Sequence, residues 1–271
     1  MTRSAFSDFE HKAWEAVVED YDAAFSRLTQ QVIPAMLDAL ELAPGQRLLD
    51  VACGTGYLAA AAAAREAIAE GVDFSVPMVM RARSLHPGID FQEGDALTLE
   101  EYADGSFDAV GMNFGILHFD EPERALRAMH RVLRSGGRLA FTAWGLPEMV
   151  AGFAIPMAAI QRSGNPNVGL PPGPPFFHFS DAANCEDALK RCGFRDMRSA
   201  IVPQHWAFPS PGDYFEALLH GTARTGGALK RQSPAELAAV RADIERSVAP
   251  FMSGGELHLP MPAHLVCATK A

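Results

Sequence analysis

The sequence predicts an α/β fold: a mostly parallel seven-stranded sheet with helices on both faces, N-terminal helices in front of it and inserted lid segments within it. Three observations predict it. Short apolar runs recur from residue 44 onward with helical patterns between them, the first run ends in a glycine turn, and the alternation breaks only after Trp144.

The elements follow in order. Trp14, Val17, Val18, Tyr21, Phe25 and Leu28 stand at helical spacing and Val32, Met36, Leu37 and Leu40 continue it, so residues 1–43 read as a helical lid of two helices or one bent helix. Pro44 and Gly45 end it. Strands are expected at 47–51, 68–73, 89–92, 107–112 and 138–144, making 44–144 the core. The helix after Glu121 carries an apolar stripe of Ala125, Leu126, Met129, Val132 and Leu133, with Gly136 and Gly137 as its stop.

Residues 145–180 form an insertion, since the stretch from Gly164 to Ser180 holds too many prolines for a helix or a central strand. Core structure resumes over 181–208, with a helix at 181–192 capped by Ser180 and stopped by Gly193, then a strand at 197–202. Residues 209–256 form a helical insertion, where Ser210-Pro211 opens one helix and Ser233 to Glu236 makes a capping box for another. The terminal segment, 257–271, returns a last strand at 264–269 to the core.

Composition narrows function by exclusion. A formal charge of −10 disfavours a polyanionic partner, because nucleic-acid affinity rests on basic residues neutralising phosphates. The N-terminus resembles no targeting segment, and the apolar stretch from Met149 to Ile160 contains Gly and Pro and falls short of the roughly 20 residues a membrane span needs. A cytoplasmic protein with no membrane partner is expected. Cysteines 53, 185, 192 and 267 follow no metal-site spacing, so no metal is expected.

The glycine turn carries the chemistry, but by itself it has two readings. Glycines that expose backbone N–H groups at a helix start suit any cofactor with a carboxylate or pyrophosphate. Gly54, Gly56 and Ala59 also satisfy the dinucleotide fingerprint, with Asp73 at a ribose-binding distance, which keeps an NAD(P)-dependent oxidoreductase as the rival. Asp50 separates the two. It places a carboxylate inside an apolar strand end, where a dinucleotide fold keeps a hydrophobic residue and where burial is costly without donors.

The succession RLLDVACGTGYLA, GVDFSVPMVMRAR, FQEGDAL and DGSFDAVGMNFGILHFDEPERALRAMHRVLRSGGRLAFTAW resembles the Rossmann-like class I S-adenosylmethionine-dependent methyltransferases over residues 44–144. The N-terminal helices resemble those of the ubiquinone/menaquinone-biosynthesis-like small-molecule branch. The resemblance implies S-adenosyl-L-methionine as cofactor and a set of residue roles. Asp50, Ala52, Cys53, Gly54 and Gly56 would lie along the methionine moiety, and Asp73 would bind both ribose hydroxyls, two donors suiting one carboxylate. Phe74 and Met78 would flank the adenine, Asp95 would accept from its amine, and Ala96 would sit beside it. Asn113, Phe114 and Gly115 would line the sulfonium end, and Tyr21 would close over the cofactor, although it also reads as an ordinary buried helix aromatic. Ala52 departs from the family's usual glycine, and Glu70 stands where an apolar strand residue is expected.

The methyl acceptor is read as a small, apolar metabolite, with O-, C- and N-acceptors all open. Asn113 to Ile116 lacks the turn of nucleobase amino-methylating enzymes, and Ala143-Trp144 lacks the carboxylates of a metal-dependent catechol site. Trp14, Phe25, Phe176, His178, His205 and Trp206 are expected as pocket walls, the other reading being that the inserted aromatics form a minor core of their own. His118, soon after the fourth strand, is the candidate general base ahead of His178 and His205. A non-catalytic S-adenosylmethionine-binding protein remains the alternative from another class.

Overall fold

The computed structural model describes residues 4–271. Among them the strands are β1 (Arg47–Val51), β2 (Ile68–Asp73), β3 (Asp90–Glu93), β4 (Phe107–Met112), β5 (Leu133–Trp144), β6 (Phe194–Val202), β7 (His205–Phe208), β8 (Met252–Ser253), β9 (Glu256–Pro260) and β10 (Ala263–Lys270). The helices are α1 (Ala5–Ala16), α2 (Val18–Ala24), α3 (Ser26–Thr29), α4 (Ile33–Leu40), α5 (Tyr57–Ala63), α6 (Val76–Leu85), α7 (Pro122–Val132), α8 (Ala151–Ser163), α9 (Ala182–Arg191), α10 (Pro211–Gly221), α11 (Arg224–Lys230) and α12 (Pro234–Val248).

The chain divides into two compact units. The sheet unit comprises 29–144, 174–202 and 263–271. Its seven strands lie in the order β3-β2-β1-β4-β5-β10-β6. The first five run parallel, whereas β10 is antiparallel to both β5 and β6. The chain order reverses beside β1, so the carboxyl ends of β1, β2 and β4 open onto a switch-point crevice. Leu49, Val51, Val110, Met112, Leu139 and Phe141 build the core with the α7 stripe Ala125, Leu126, Met129 and Val132.

The helical unit comprises residues up to 28, together with 145–173 and 203–262. Here α8 packs on α12 and α10 on α2, and β7, β9 and β8 form a separate three-stranded antiparallel sheet. The expected capping box holds: Glu236 N donates to Ser233 Oγ at 3.3 Å and Ser233 N to the Glu236 carboxylate at 2.9 Å.

Four details differ from the sequence reading. The N-terminal helical pattern breaks at Val17 and again at Phe25, giving three short helices before α4, and residues 29–43 belong to the sheet unit. Pro203 lacks the N–H that would extend β6, so pairing with β10 stops at Val202, and residues 203–208 and 257–262 join the helical unit. Asp181, rather than Ser180, caps α9, its carboxylate accepting from Ala183 N at 2.7 Å.

The fourth difference is that Gly136 and Gly137 do not end a helix. Helix α7 stops at Val132 and β5 begins at Leu133, with a register shift against β4 between Phe107 and Ala109. Gly136 takes φ +73° inside that bulge, and a Cβ on Gly137 would meet Arg134 O at 2.8 Å.

Candidate cofactor site

Strand β1 lies between β2 and β4, which buries its last carboxylate. Asp50 is 1% exposed; one oxygen accepts from Ala59 N at 3.0 Å in the first turn of α5, and the other, Oδ1, has no hydrogen-bond partner. Burial pushes this carboxyl up to about 8, the Ala59 N–H opposing the shift and the Asp73 charge adding to it. A buried carboxylate oxygen with unused acceptor capacity suits a cationic donor.

After β1 the backbone turns through left-handed conformations at Ala52 (φ +53°), Gly54 (+53°) and Gly56 (+85°). Glycine tolerates such φ values without penalty, whereas Ala52 holds one at a cost of about 1–2 kcal/mol. Gly56 has a second constraint: a Cβ there would lie 2.5 Å from the Phe91 ring. Cys53 N donates to Val72 O at 3.0 Å, and burial raises the Cys53 thiol well above its ordinary range, which keeps it protonated. The turn is fastened to β2 through Asp73, 7% exposed, which accepts from Gly54 N at 2.8 Å on one oxygen and from Ser75 N at 2.9 Å on the other.

The expected adenine neighbours divide by burial. Met78 is buried, its N–H donating to the cap residue Ser75 at 3.4 Å, while Phe74 is half-buried. Asp95 is exposed beyond β3, one oxygen accepting from Leu97 N at 2.9 Å, and Ala96 beside it is buried.

The loop after β4 is held by a network the sequence reading did not contain. Thr142 of β5 accepts from Phe114 N at 2.8 Å and donates to Asn113 Oδ1 at 2.7 Å, while Asn113 Nδ2 donates to Thr29 O at 2.9 Å. Asn113 is thereby committed to the scaffold. Phe114 sits at φ +56° with its ring stacked on Trp144 at 4.0 Å, and Gly115 packs so closely that a Cβ would lie 2.9 Å from Ala52 Cβ. The loops following β1 and β4 therefore touch.

His118 ends the short 3₁₀ turn Ile116–His118 and is half-buried; its turn packs against a second one, His178–Ser180. Half-buried His178 lies edge-on to Phe179 at 4.9 Å, and Phe176 lies edge-on to Phe177 at 5.0 Å. A third imidazole escaped the sequence reading. His264 of β10 is buried beside this turn and donates from Nδ1 to Phe179 O at 2.8 Å. A polar ring inside the apolar run 263–268 was the signal that could have revealed it.

Tyr21, Trp14, Phe25, Trp206 and His205 belong to the helical unit. Phe25 and Trp206 are interior, ring centroids 4.2 Å apart, with the indole N–H donating to Ala24 O at 3.0 Å. Tyr21 stacks on Phe25 at 5.9 Å and meets Trp14 edge-on at 5.3 Å, and His205 is exposed on β7. Glu70 now has an account as the ion partner of Arg47 on the adjacent strand, at 2.5 Å, with the same guanidinium over the Phe107 ring. Among the described residues no group of His, Cys, Asp or Glu is placed to hold a metal ion, and no helix is long and apolar enough to cross a membrane.

A doubly wound sheet with a glycine turn at the carboxyl end of β1, beside its switch point, is the architecture of a protein that holds a nucleotide-like cofactor. Comparison with known proteins gives the family. Residues 49–141 match the family described as methyltransferase domain, and residues 1–84 match that of protein-L-isoaspartate(D-aspartate) O-methyltransferase. The chain is 32% identical over 187 residues to a demethylmenaquinone methyltransferase of Renibacterium salmoninarum, covering 64% of this chain and 78% of that protein. A Streptomyces griseus protein of the same name is 26% identical over 231 residues, covering 76% of this chain and 99% of the relative. In fold the chain is similar to phosphoethanolamine N-methyltransferase 2 of Haemonchus contortus in complex with S-adenosyl-L-methionine, with TM-score 0.59, 20% identity, and coverage of 99% of this chain and 60% of that one. The chain belongs to the class I S-adenosylmethionine-dependent methyltransferases, in their menaquinone/ubiquinone-type branch. Its cofactor is S-adenosylmethionine and it transfers a methyl group to a small molecule.

Proposed function

We propose that this enzyme methylates a quinone-type aromatic small molecule, in the cytoplasm and without a nucleic-acid partner. The observation that carries the reading is the extended similarity to proteins named demethylmenaquinone methyltransferase, one of them matched over 99% of its length. The net charge of −10 supports the absence of a polyanionic substrate.

The unpartnered Asp50 oxygen receives the cofactor's ammonium, and Asp73 receives its ribose hydroxyls. Phe74 borders the adenine and Asp95 accepts from its amine. When bound, the cofactor supplies a methyl group already activated on a sulfonium, so in-line alignment and exclusion of water account for most of the acceleration. The loop of Asn113, Phe114 and Gly115 provides a rigid wall at that end. His118 takes a proton from an acidic acceptor, and its half-buried position is compatible with that exchange.

The test is methyl transfer to a demethylmenaquinone with a shortened side chain, followed by mass spectrometry, alongside calorimetric titration with S-adenosylhomocysteine. Product carrying one added methyl group supports the reading. Tight cofactor binding with no transfer to any quinone-type acceptor overturns the acceptor assignment and leaves the donor intact.

A further inference from the structure

We propose that Thr142 is a positioning residue for methyl transfer: its hydroxyl holds the loop after β4 in a left-handed conformation against the cofactor turn. The proposal rests on the methyl-transfer reading above and adds a residue to it.

The argument begins with a backbone that runs out of partners. Strand β4 pairs with β5 as far as Met112 opposite Phe141, and beyond that point the Phe114 N–H has no strand carbonyl to meet. The Thr142 hydroxyl substitutes for it, accepting from Phe114 N at 2.8 Å and passing its single proton to Asn113 Oδ1 at 2.7 Å. Directionality is fixed, because the Asn113 amide donates its other end to Thr29 O at 2.9 Å. Thr142 is 0% exposed, so water cannot replace the hydroxyl.

What the hydroxyl holds is unusual. Phe114 stays at φ +56°, a conformation that non-glycine residues rarely adopt without enforcement. Its ring lies flat on Trp144, two residues beyond Thr142 on the same strand, so β5 grips the loop at both backbone and side chain. Gly115 then abuts Ala52, itself at φ +53°, which couples the two strained loops. A threonine serving only to fill space would be replaced by isosteric valine without consequence.

The experiment compares Thr142→Val with Thr142→Ser. Relaxation of the loop misplaces the sulfonium wall, and a displacement on the 1 Å scale lowers turnover by about 10- to 100-fold. We expect Thr142→Val to lose kcat on that scale, while S-adenosylhomocysteine affinity, set mainly by Asp50 and Asp73, changes less than about threefold. The Trp144 signal in near-ultraviolet circular dichroism should change in the same variant. Thr142→Ser should restore both readouts.

Wild-type turnover and an unchanged aromatic spectrum in Thr142→Val overturn the proposal, as does equal damage from Thr142→Ser. If Thr142→Val fails to fold, Thr142→Cys supplies the same comparison with a weak thiol acceptor. Failure of both to fold beside a wild-type Thr142→Ser overturns the positioning role in favour of a purely stabilising one. A wild-type protein that binds no S-adenosylhomocysteine counts against the donor assignment, and the spectroscopic comparison still tests Thr142.

Discussion

Asp73 at the end of β2 accepts from Gly54 N at 2.8 Å, so the carboxylate suited to the cofactor's ribose also holds the glycine turn that follows β1. The same side chain receives Ser75 N, which makes it the hinge pin of two loops. Loop geometry and ligand binding are therefore inseparable at this residue.

Asp73→Ala should abolish measurable cofactor binding. It removes the charge-assisted hydrogen bonds from Gly54 N and Ser75 N that fasten the glycine turn and the start of α6, each bond to a charged group contributing about 1.5–3 kcal/mol. Calorimetry with S-adenosylhomocysteine should give a dissociation constant raised by at least about 100-fold; near wild-type affinity would remove Asp73 from the site.

The stability of the cofactor-free protein should fall as pH rises toward 8. The Asp50 carboxyl lies at about 8 when folded against an ordinary 3.8, so between those values the folded chain holds a proton that the unfolded chain has lost. Protonated Asp50 thus contributes stability that is complete below about 4 and disappears as pH passes the folded value. At 1.36 kcal/mol per pH unit as a ceiling, moving from pH 6 to 7.5 costs up to about 2 kcal/mol. Asp50→Asn should flatten this slope in urea titrations, and parallel slopes for the two proteins would contradict the assignment.

Gly56→Ala should destabilise the fold by about 2–4 kcal/mol. The residue needs φ +85° and its Cβ would approach the Phe91 ring at 2.5 Å. Adding Phe91→Leu should recover the steric part of the loss and leave the backbone part, as read from denaturation midpoints. Full tolerance of Gly56→Ala would mean that the turn can open.

His118→Ala should lower turnover by about 10²–10⁴-fold while leaving S-adenosylhomocysteine affinity unchanged, the range expected for a positioned base. Unaltered turnover would shift attention to His178 or His264, which share that end of the sheet unit.

Much of the fold was legible in the sequence because strand signals are local. Strands β1, β2 and β4 fall where apolar runs and glycines put them, since β-branched and apolar residues at a buried parallel position leave little alternative. The glycines at 136 and 137 misled because a Gly-Gly pair permits both a helix stop and a bulge, and only pairing with β4 selected the bulge. Phe25 and Trp206 became the interior of the helical unit because their rings pack against each other at a tilt, a contact across about 180 residues that no local pattern encodes.

By itself the sequence determined the doubly wound sheet, the turn from Asp50 to Gly56 and the acids at the ends of β1 and β2, each of which rests on neighbours in the chain. The tertiary structure alone decided that Asp50 keeps an unpartnered oxygen, that Asn113 is spent on the scaffold, and that Thr142 and Trp144 hold Phe114 in a left-handed conformation. The physical reason is that burial and hydrogen-bond satisfaction are properties of residues brought together from distant strands, and one strand's pattern carries no record of which donor will reach it.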